Sequence, residues 1–185
     1  MVDEELNDAE AKMKKAILAT QEEFAGIRSG RANPALLEKL KVEYYGTEMT
    51  LVQLAQISAP EPRLLVITPF DKGSIPAIEK AIITSDLGLT PSNDGSVIRV
   101  SIPPLTEERR KELVKLVHAR AEEGRVAIRN IRRHTRETLE KAKKSGDLPE
   151  DEFKRAERKL QELTDNYIGE IDGMLARKEA ELLEV

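Results

Sequence analysis

The 185-residue sequence contains no cysteine and no tryptophan, and it has only three phenylalanines and three tyrosines. Without cysteine the chain can form no disulfide, use no thiolate and bind no zinc or iron–sulfur cluster through sulfur, a composition that is ordinary in a reducing compartment. With 3% aromatic and 35% charged residues, any core must be built from Leu, Ile, Val and Ala. This balance favours long amphipathic helices over an all-β fold.

Long apolar runs are also missing. None approaches the roughly 20 residues that a membrane-spanning helix needs. The N-terminal segment MVDEELNDAE is acidic, whereas a secretory signal would be basic and then apolar. We therefore predict a soluble cytoplasmic protein that has no membrane partner.

Residues with the spacing of a catalytic or metal site are absent from the sequence. The two histidines, His118 and His134, fall on one predicted helix, where about 100° per residue sets them about 160° apart, so they cannot share a metal ion. No P-loop, GxGxxG, GxSxG or HExxH motif occurs. We predict that the chain is not an enzyme and needs neither cofactor nor metal.

Apolar positions recur at gaps of three and four in three segments, which predicts three long helices. The first covers residues 3–29 and stops at Ser29-Gly30. The second runs about 38 residues from Thr106 to Gly146, and the third starts near Asp151. The predicted inward positions are Leu6, Ala9, Met13, Ile17, Thr20, Phe24 and Ile27; Leu113, Val117, Ala121, Gly124, Ile128, Ile131, Thr135, Leu139 and Ala142; and Phe153, Ala156, Leu160, Leu163, Tyr167, Ile171 and Met174.

Between the first two helices the pattern changes to that of a small α+β module. Residues 42–46, 64–67 and 97–102 are strand-like, residues 75–83 have helical spacing, and Asn93-Asp94-Gly95 marks a tight turn. Two helices alone would leave apolar surface in water, so we expect all three to pack as one bundle. The predicted fold class is α+β, with a three-helix bundle (1–30 and 105–185) and an inserted domain (31–104).

Charge is distributed unevenly in this chain of net charge −4. Residues 107–146 carry 13 basic and 7 acidic side chains, whereas 147–185 carry 6 and 12. Within the basic segment, Arg125, Arg129, Arg132 and Arg136, here called the arginine row, occupy a wedge about 60° wide on the helix, with Arg133 beside it. We expect this row to face outward, with only Glu122 and Glu140 near enough to neutralise it.

Two interpretations of the arginine row stay open. In the first, the arginines pair with the acidic third helix, since ion pairs between helices are common although individually weak. In the second, which we favour, they face phosphates, for which the guanidinium fork is well suited. Exposed aromatics that would stack on bases are scarce, so structured RNA bound through its shape and backbone is the better match.

Five ordered blocks of sequence resemble the bacterial ribosome recycling factor family from one end of the chain to the other. They are SGRANP (29–34), VEYYG (42–46), SDLGL (85–89), PPLTEERRK (103–111) and VAIRNIRR (126–133). Ser29 stands where the family usually has Thr, and Phe70 stands where Trp or Tyr is frequent.

The resemblance implies an elongated, L-shaped monomer with an antiparallel three-helix bundle and an inserted β/α/β domain. It further implies binding to the post-termination 70S ribosome. With elongation factor G and the hydrolysis of GTP by that factor, the ribosome would be split into subunits, which frees mRNA and deacylated tRNA. The resemblance implies that Arg110, Arg129 and Arg132 contact large-subunit rRNA, and that Arg28 and Arg31 contribute to the same surface or its neighbourhood. The arginine row adds Arg125, Arg133 and Arg136 to the predicted RNA-binding residues. From the residues alone, the junctions Gly30-Arg31 and Pro103-Pro104-Leu105 are either passive linkers or a hinge. The resemblance implies the hinge, which would consist of Gly30, Arg31, Pro103, Pro104 and Leu105.

Two other classes of protein compete with this assignment. A helical adaptor would self-associate through its apolar stripes and show weak salt dependence. A generic RNA-binding module would bind many structured RNAs without any dependence on a GTPase.

Overall fold

The computed structural model describes residues 1–183, which fall into two compact units. One unit combines Met1–Arg28 with the chain from Glu107 onward, and the other is Ser29–Thr106. In chain order the elements are α1 (Val2–Ala25), α2 (Ala35–Glu38), β1 (Lys41–Tyr44), β2 (Thr47–Thr50), α3 (Leu51–Leu54), β3 (Ala55–Glu61), β4 (Leu64–Pro69), a 3₁₀ turn (Lys72–Ser74), α4 (Ile75–Thr84), β5 (Pro91–Asn93), β6 (Ile98–Ser101), α5 (Glu107–Lys144) and α6 (Glu150–Leu183).

The first unit is a bundle in which α1, α5 and α6 each pack against the other two. Helix α5 runs antiparallel to α6, because Arg125 meets Asp172 while Arg136 meets Glu157. Helix α1 is also antiparallel to α5, because Thr20 lies against Gly124 while Glu23, further along α1, pairs with Arg120, earlier in α5. The prediction of a helix-rich protein with a three-helix bundle is confirmed.

The predicted inward positions account for most of the bundle core. All seven positions predicted for the first helix are buried, although α1 ends at Ala25, four residues short of the predicted end. Gly26 follows at once, and glycine costs roughly 1 kcal/mol in a helix interior relative to alanine. Ile131, Ala142, Leu163 and Tyr167 are only partly buried, and Thr164 and Leu175 join the core unpredicted.

The second unit has a four-stranded antiparallel sheet of order β3-β4-β6-β5 and a separate β1-β2 hairpin. Burial alternates along β6, where Ile98 and Val100 are buried and Arg99 is exposed. This is the period-two pattern expected of a sheet with one covered face. The sheet residues share a core with α4, through Ile78 and Ile82.

The predicted strands at 42–46, 64–67 and 97–102 correspond to β1, β4 and β6, and the predicted helix corresponds to α4. The β1-β2 hairpin turns through Tyr45 and Gly46, which both have positive φ, the conformation that two-residue hairpins favour.

The two tyrosines of this hairpin are placed differently. The Tyr44 hydroxyl donates to Asp71, and this bond lowers the pKa of the Asp71 carboxyl. Tyr45 itself is 88% exposed.

Within residues 1–183, no helix is both long enough and apolar enough to cross a membrane.

Candidate RNA-binding surface

Helix α5 carries the arginine row, and the packing of its apolar positions decides where that row lies. Ile128 and Thr135 are buried in the bundle. At about 100° per residue these two positions lie about 60–80° around the helix from Arg125. The row therefore follows the boundary between the core and solvent, on the side of α5 that meets α6, rather than the fully exposed face. Side-chain exposure is 18% for Arg125, 41% for Arg136 and 50% for Arg129.

Arg125 is held by carboxylates of two helices. Its Nη2 lies 2.7 Å from Asp172 Oδ1 of α6, and its Nη1 lies 3.0 Å from Glu122 Oε2 of α5. Partial burial acts to lower the pKa of Arg125, but hydrogen bonds to Asp172 and Glu122 outweigh it and raise the pKa. The guanidinium thus stays charged, and its charge is compensated within the bundle.

Arg136, about three turns further along α5 than Arg125, is arranged in the same way. Its Nε lies 2.7 Å from Glu157 Oε2 of α6, and its Nη1 lies 3.3 Å from Glu140 Oε2 of α5. The hydrogen bond to Glu157 raises the pKa of Arg136. We call the contacts of Arg125 with Asp172 and of Arg136 with Glu157 the bracing pairs.

The bracing pairs correct one prediction. The row is not continuously outward with only Glu122 and Glu140 to neutralise it, because α6 contributes Asp172 and Glu157. For Arg125 and Arg136, pairing with the acidic third helix is the interpretation that the contacts match. The reason is the rotation of α5: its edge, rather than its outer face, carries these side chains.

The other three arginines are differently placed. Arg129 makes one ion pair, 3.3 Å from Nη1 to Glu122 Oε1. Arg132 is half-buried, and its Nη1 donates to Gln161 Oε1 of α6 at 3.4 Å. Arg133 is exposed, and in the part of the chain that the structure describes it has no hydrogen-bond or ion-pair partner. Positive charge is thus least compensated around Arg132 and Arg133.

Arg28 and Arg110, the two remaining predicted RNA-binding residues, lie apart from the row. Arg28 is exposed beyond the end of α1. Arg110 is half-buried in the first turn of α5, and its Nε is a buried donor with no acceptor among the described residues. Fifteen residues separate it from Arg125, which is about 22 Å along a helix. No described contact joins either residue to the row.

The predicted hinge residues lie at the start and end of the second unit. Gly30 has a φ of +74°, which side chains rarely adopt, and a Cβ built on it would stand 3.0 Å from Leu105 Cγ. The first and last segments of this unit therefore lie against each other at position 30, where only glycine fits well. Arg31, Pro103 and Pro104 are exposed.

The histidines meet carboxylates singly. His118 Nε2 lies 3.3 Å from Glu179 Oε1, and His134 Nδ1 lies 3.8 Å from Glu137 Oε2. Among residues 1–183, no three His, Asp or Glu side chains are grouped so that they could hold a metal ion.

Sequence reasoning missed the residues of α6 that decide the state of each arginine: Glu157, Gln161 and Asp172. The sequence indicated Glu157 and Asp172 only through the excess of acidic residues in the third helix, and it gave no indication of Gln161. That excess does not tell which carboxylate meets which arginine, because the pairing depends on the packing of the two helices.

The fold and this surface together define the class: a helix-bundle protein with an inserted antiparallel α+β unit and an arginine-lined helix edge. The chain belongs to the ribosome recycling factor family, whose family model matches residues 20–183. It is 58% identical to the ribosome-recycling factors of Acidothermus cellulolyticus and of Halalkalibacterium halodurans, each compared over 100% of both chains.

Two solved structures are similar along the whole chain. The solution structure of a ribosome recycling factor matches with a TM-score of 0.79 at 47% identity, covering 100% of this chain and 98% of that one. A second match, with a TM-score of 0.67 at 50% identity and full coverage of both chains, is described as models of the T. thermophilus ribosome recycling factor and the E. coli elongation factor G bound to the E. coli post-termination complex.

Proposed function

We propose that this chain recycles ribosomes after termination. It binds the post-termination ribosome and, with elongation factor G and GTP hydrolysis by that factor, splits it into subunits, which releases mRNA and deacylated tRNA. Family membership over the full chain supports this role. So does the similar structure described together with elongation factor G on a post-termination complex. The chain itself acts without catalysis, as a cytoplasmic monomer that needs no cofactor.

In this function, the surface that binds RNA is centred on the arginine row of α5. The observation that carries it is the uncompensated charge of Arg132 and Arg133, which is available to phosphates of large-subunit rRNA. Arg129 joins them by leaving Glu122, a partner that it shares with Arg125. The full proposed set is Arg28, Arg110, Arg125, Arg129, Arg132, Arg133 and Arg136, in which Arg125 and Arg136 act mainly by fixing α5 against α6.

The inserted domain, residues 31–104, is the part that we propose elongation factor G displaces. Displacement needs a hinge, and the proposed hinge is Gly30, Arg31, Pro103, Pro104 and Leu105. Gly30 and Leu105 support this location, because the chain enters and leaves the inserted domain side by side at these two residues. Gly30 has a positive φ, and a side chain at this position would be strained and would crowd Leu105. The bundle then stays anchored on RNA while the chain bends where the two units join.

The test is light scattering of post-termination ribosomes mixed with this chain, elongation factor G and GTP. A fall in scattering that needs all three components, and that is reduced for Arg132→Ala, is the expected result. Arg158→Ala is the matched control, because it removes one exposed arginine from α6 rather than from the row. No fall with a matched elongation factor G and a folded chain would overturn the proposal. Binding of many structured RNAs without GTPase dependence, or self-association, would then favour one of the two competing classes.

A further inference from the structure

Among the described residues, hydrogen bonds or ion pairs join α6 to cationic or ionisable side chains of α5 at four places, and at three of them α6 offers a carboxylate. Glu179 faces His118, Asp172 faces Arg125, and Glu157 faces Arg136. At the fourth place, between the two bracing pairs, Arg132 meets the neutral amide of Gln161. Among these contacts, Arg132 is thus the one arginine to which the acidic helix α6 presents an uncharged acceptor.

The orientation of the Gln161 amide is fixed by a second bond. Gln161 Nε2 donates to Asp165 Oδ1 at 2.9 Å, one turn further along α6. An amide has donors on one side and an acceptor on the other. Because the carboxylate of Asp165 takes the amide nitrogen, the amide oxygen is turned toward the Arg132 guanidinium. The reverse orientation would set two donors against each other and two acceptors against each other.

A neutral acceptor and a carboxylate have different consequences for an RNA-binding arginine. A carboxylate would cancel the guanidinium charge and compete with phosphate for its paired donors. An amide oxygen uses one donor and leaves the positive charge whole. At 3.4 Å the contact is long, so it directs the side chain without holding it strongly.

We propose that Gln161 is a positioning residue for Arg132: it orients the guanidinium at the edge of α5 and, being uncharged, leaves the charge available for an RNA phosphate. The proposal rests on the proposed function, because it needs Arg132 to bind rRNA. It makes the identity of residue 161 a determinant of affinity for the large subunit although that residue need not touch RNA.

The experiment measures binding of fluorescently labelled full-length chain to isolated large ribosomal subunits across a series of salt concentrations. Gln161→Glu places a carboxylate beside Arg132. We expect it to weaken binding about three- to tenfold, to reduce the steepness of the salt dependence by about the contribution of one phosphate contact, and to leave the melting temperature unchanged or higher. Gln161→Met removes the acceptor without adding charge, so we expect a smaller loss of affinity and an unchanged salt dependence.

Asn166→Asp is the matched control, because it adds the same charge to an exposed position of α6 about 140° around the helix from residue 161. A second control is Gln161→Glu combined with Arg132→Ala. If residue 161 acts through Arg132, the exchange causes no further loss once the arginine is gone.

The outcomes distinguish a failure of the proposed RNA-binding surface from a failure of the role proposed for Gln161. If Arg132→Ala binds the subunit as well as the unsubstituted chain, the proposed RNA-binding surface is wrong. If Arg132→Ala weakens binding but Gln161→Glu does no more than Asn166→Asp, or weakens binding equally in the Arg132→Ala background, the role of Gln161 is overturned while the surface stands.

Discussion

Helix α5 meets its neighbours along two rows of residues that contribute in different ways. One row is apolar and buried, and it includes Val117, Gly124 and Ile128. The other is the arginine row at the edge of the interface with α6. The apolar row sets the rotation of α5, because only one face can be covered by α1 and α6. The same rotation fixes where the arginine row lies. Contacts with α6 then divide the row into arginines that brace the bundle and arginines whose charge is not compensated by a carboxylate of α6.

The largest effect is expected where the apolar row is tightest. A Cβ on Gly124 would stand 2.5 Å from Thr20 Oγ1 and 3.0 Å from Ile171 Cδ1. Gly124→Ala should therefore destabilise the chain by about 1–3 kcal/mol, as overpacking does. The measurement is urea unfolding followed by circular dichroism.

Gly169→Ala on α6 is the matched control, since nothing lies within 4 Å of its added Cβ. It should stabilise the chain by up to about 1 kcal/mol through helix propensity. Equal effects of the two substitutions would contradict the view that close packing at Gly124 sets the position of α5.

The next effect concerns the bracing pairs. Arg125→Ala leaves Asp172 and Glu122 without their shared cation at a site where the arginine is only 18% exposed. We expect a loss of about 1–2 kcal/mol in the free energy of unfolding, with little change in the salt dependence of subunit binding. A steep loss of binding at unchanged stability would instead make Arg125 a phosphate contact.

The helices of this fold could be predicted from the sequence because their core is periodic. Seven positions at gaps of three and four in the first segment all proved buried. The strands β2, β3 and β5 were missed for a physical reason: most of their residues are exposed or only partly buried, so none carries the apolar alternation by which a strand is recognised. The strands β3 and β5 pair within the four-stranded sheet. Each pairs with the strand that follows it in the chain, β3 with β4 and β5 with β6. Only the pairing of β4 with β6 joins segments that are distant in sequence.

The candidate surface was predictable only in part. Spacing alone placed the arginines of the row on one side of α5, and this follows from helix geometry. Which of them would be neutralised depends on the rotation and axial shift between α5 and α6. A rotation of α6 by about 100° would bring Glu162 to the position of Gln161. No composition or periodicity contains that information.

Arg133 provides the opposite of the bracing case. It is exposed and makes no described ion pair, so Arg133→Ala should change stability by less than about 0.5 kcal/mol. Binding to the large subunit should weaken about three- to tenfold, with a salt dependence reduced by about one phosphate contact. Thermal melting checks the expected stability, and binding measured at several salt concentrations checks the expected loss of affinity. Loss of stability without loss of binding would place Arg133 with Arg125.

The smallest effect is expected at Glu122, whose carboxylate pairs with one arginine of each kind. Glu122 bonds both to Arg125, which braces the bundle, and to Arg129, which is half exposed. Glu122→Gln should release Arg129 for phosphate and strengthen subunit binding about two- to threefold, since an exposed ion pair is worth only about 0.2–1 kcal/mol. Stability should fall slightly because Arg125 keeps Asp172. Glu123→Gln is the control: it removes the same charge from the adjacent position, where the carboxylate pairs with Arg120 at 2.9 Å. If both substitutions strengthen binding equally, the gain comes from net charge alone, and Glu122 does not restrain Arg129.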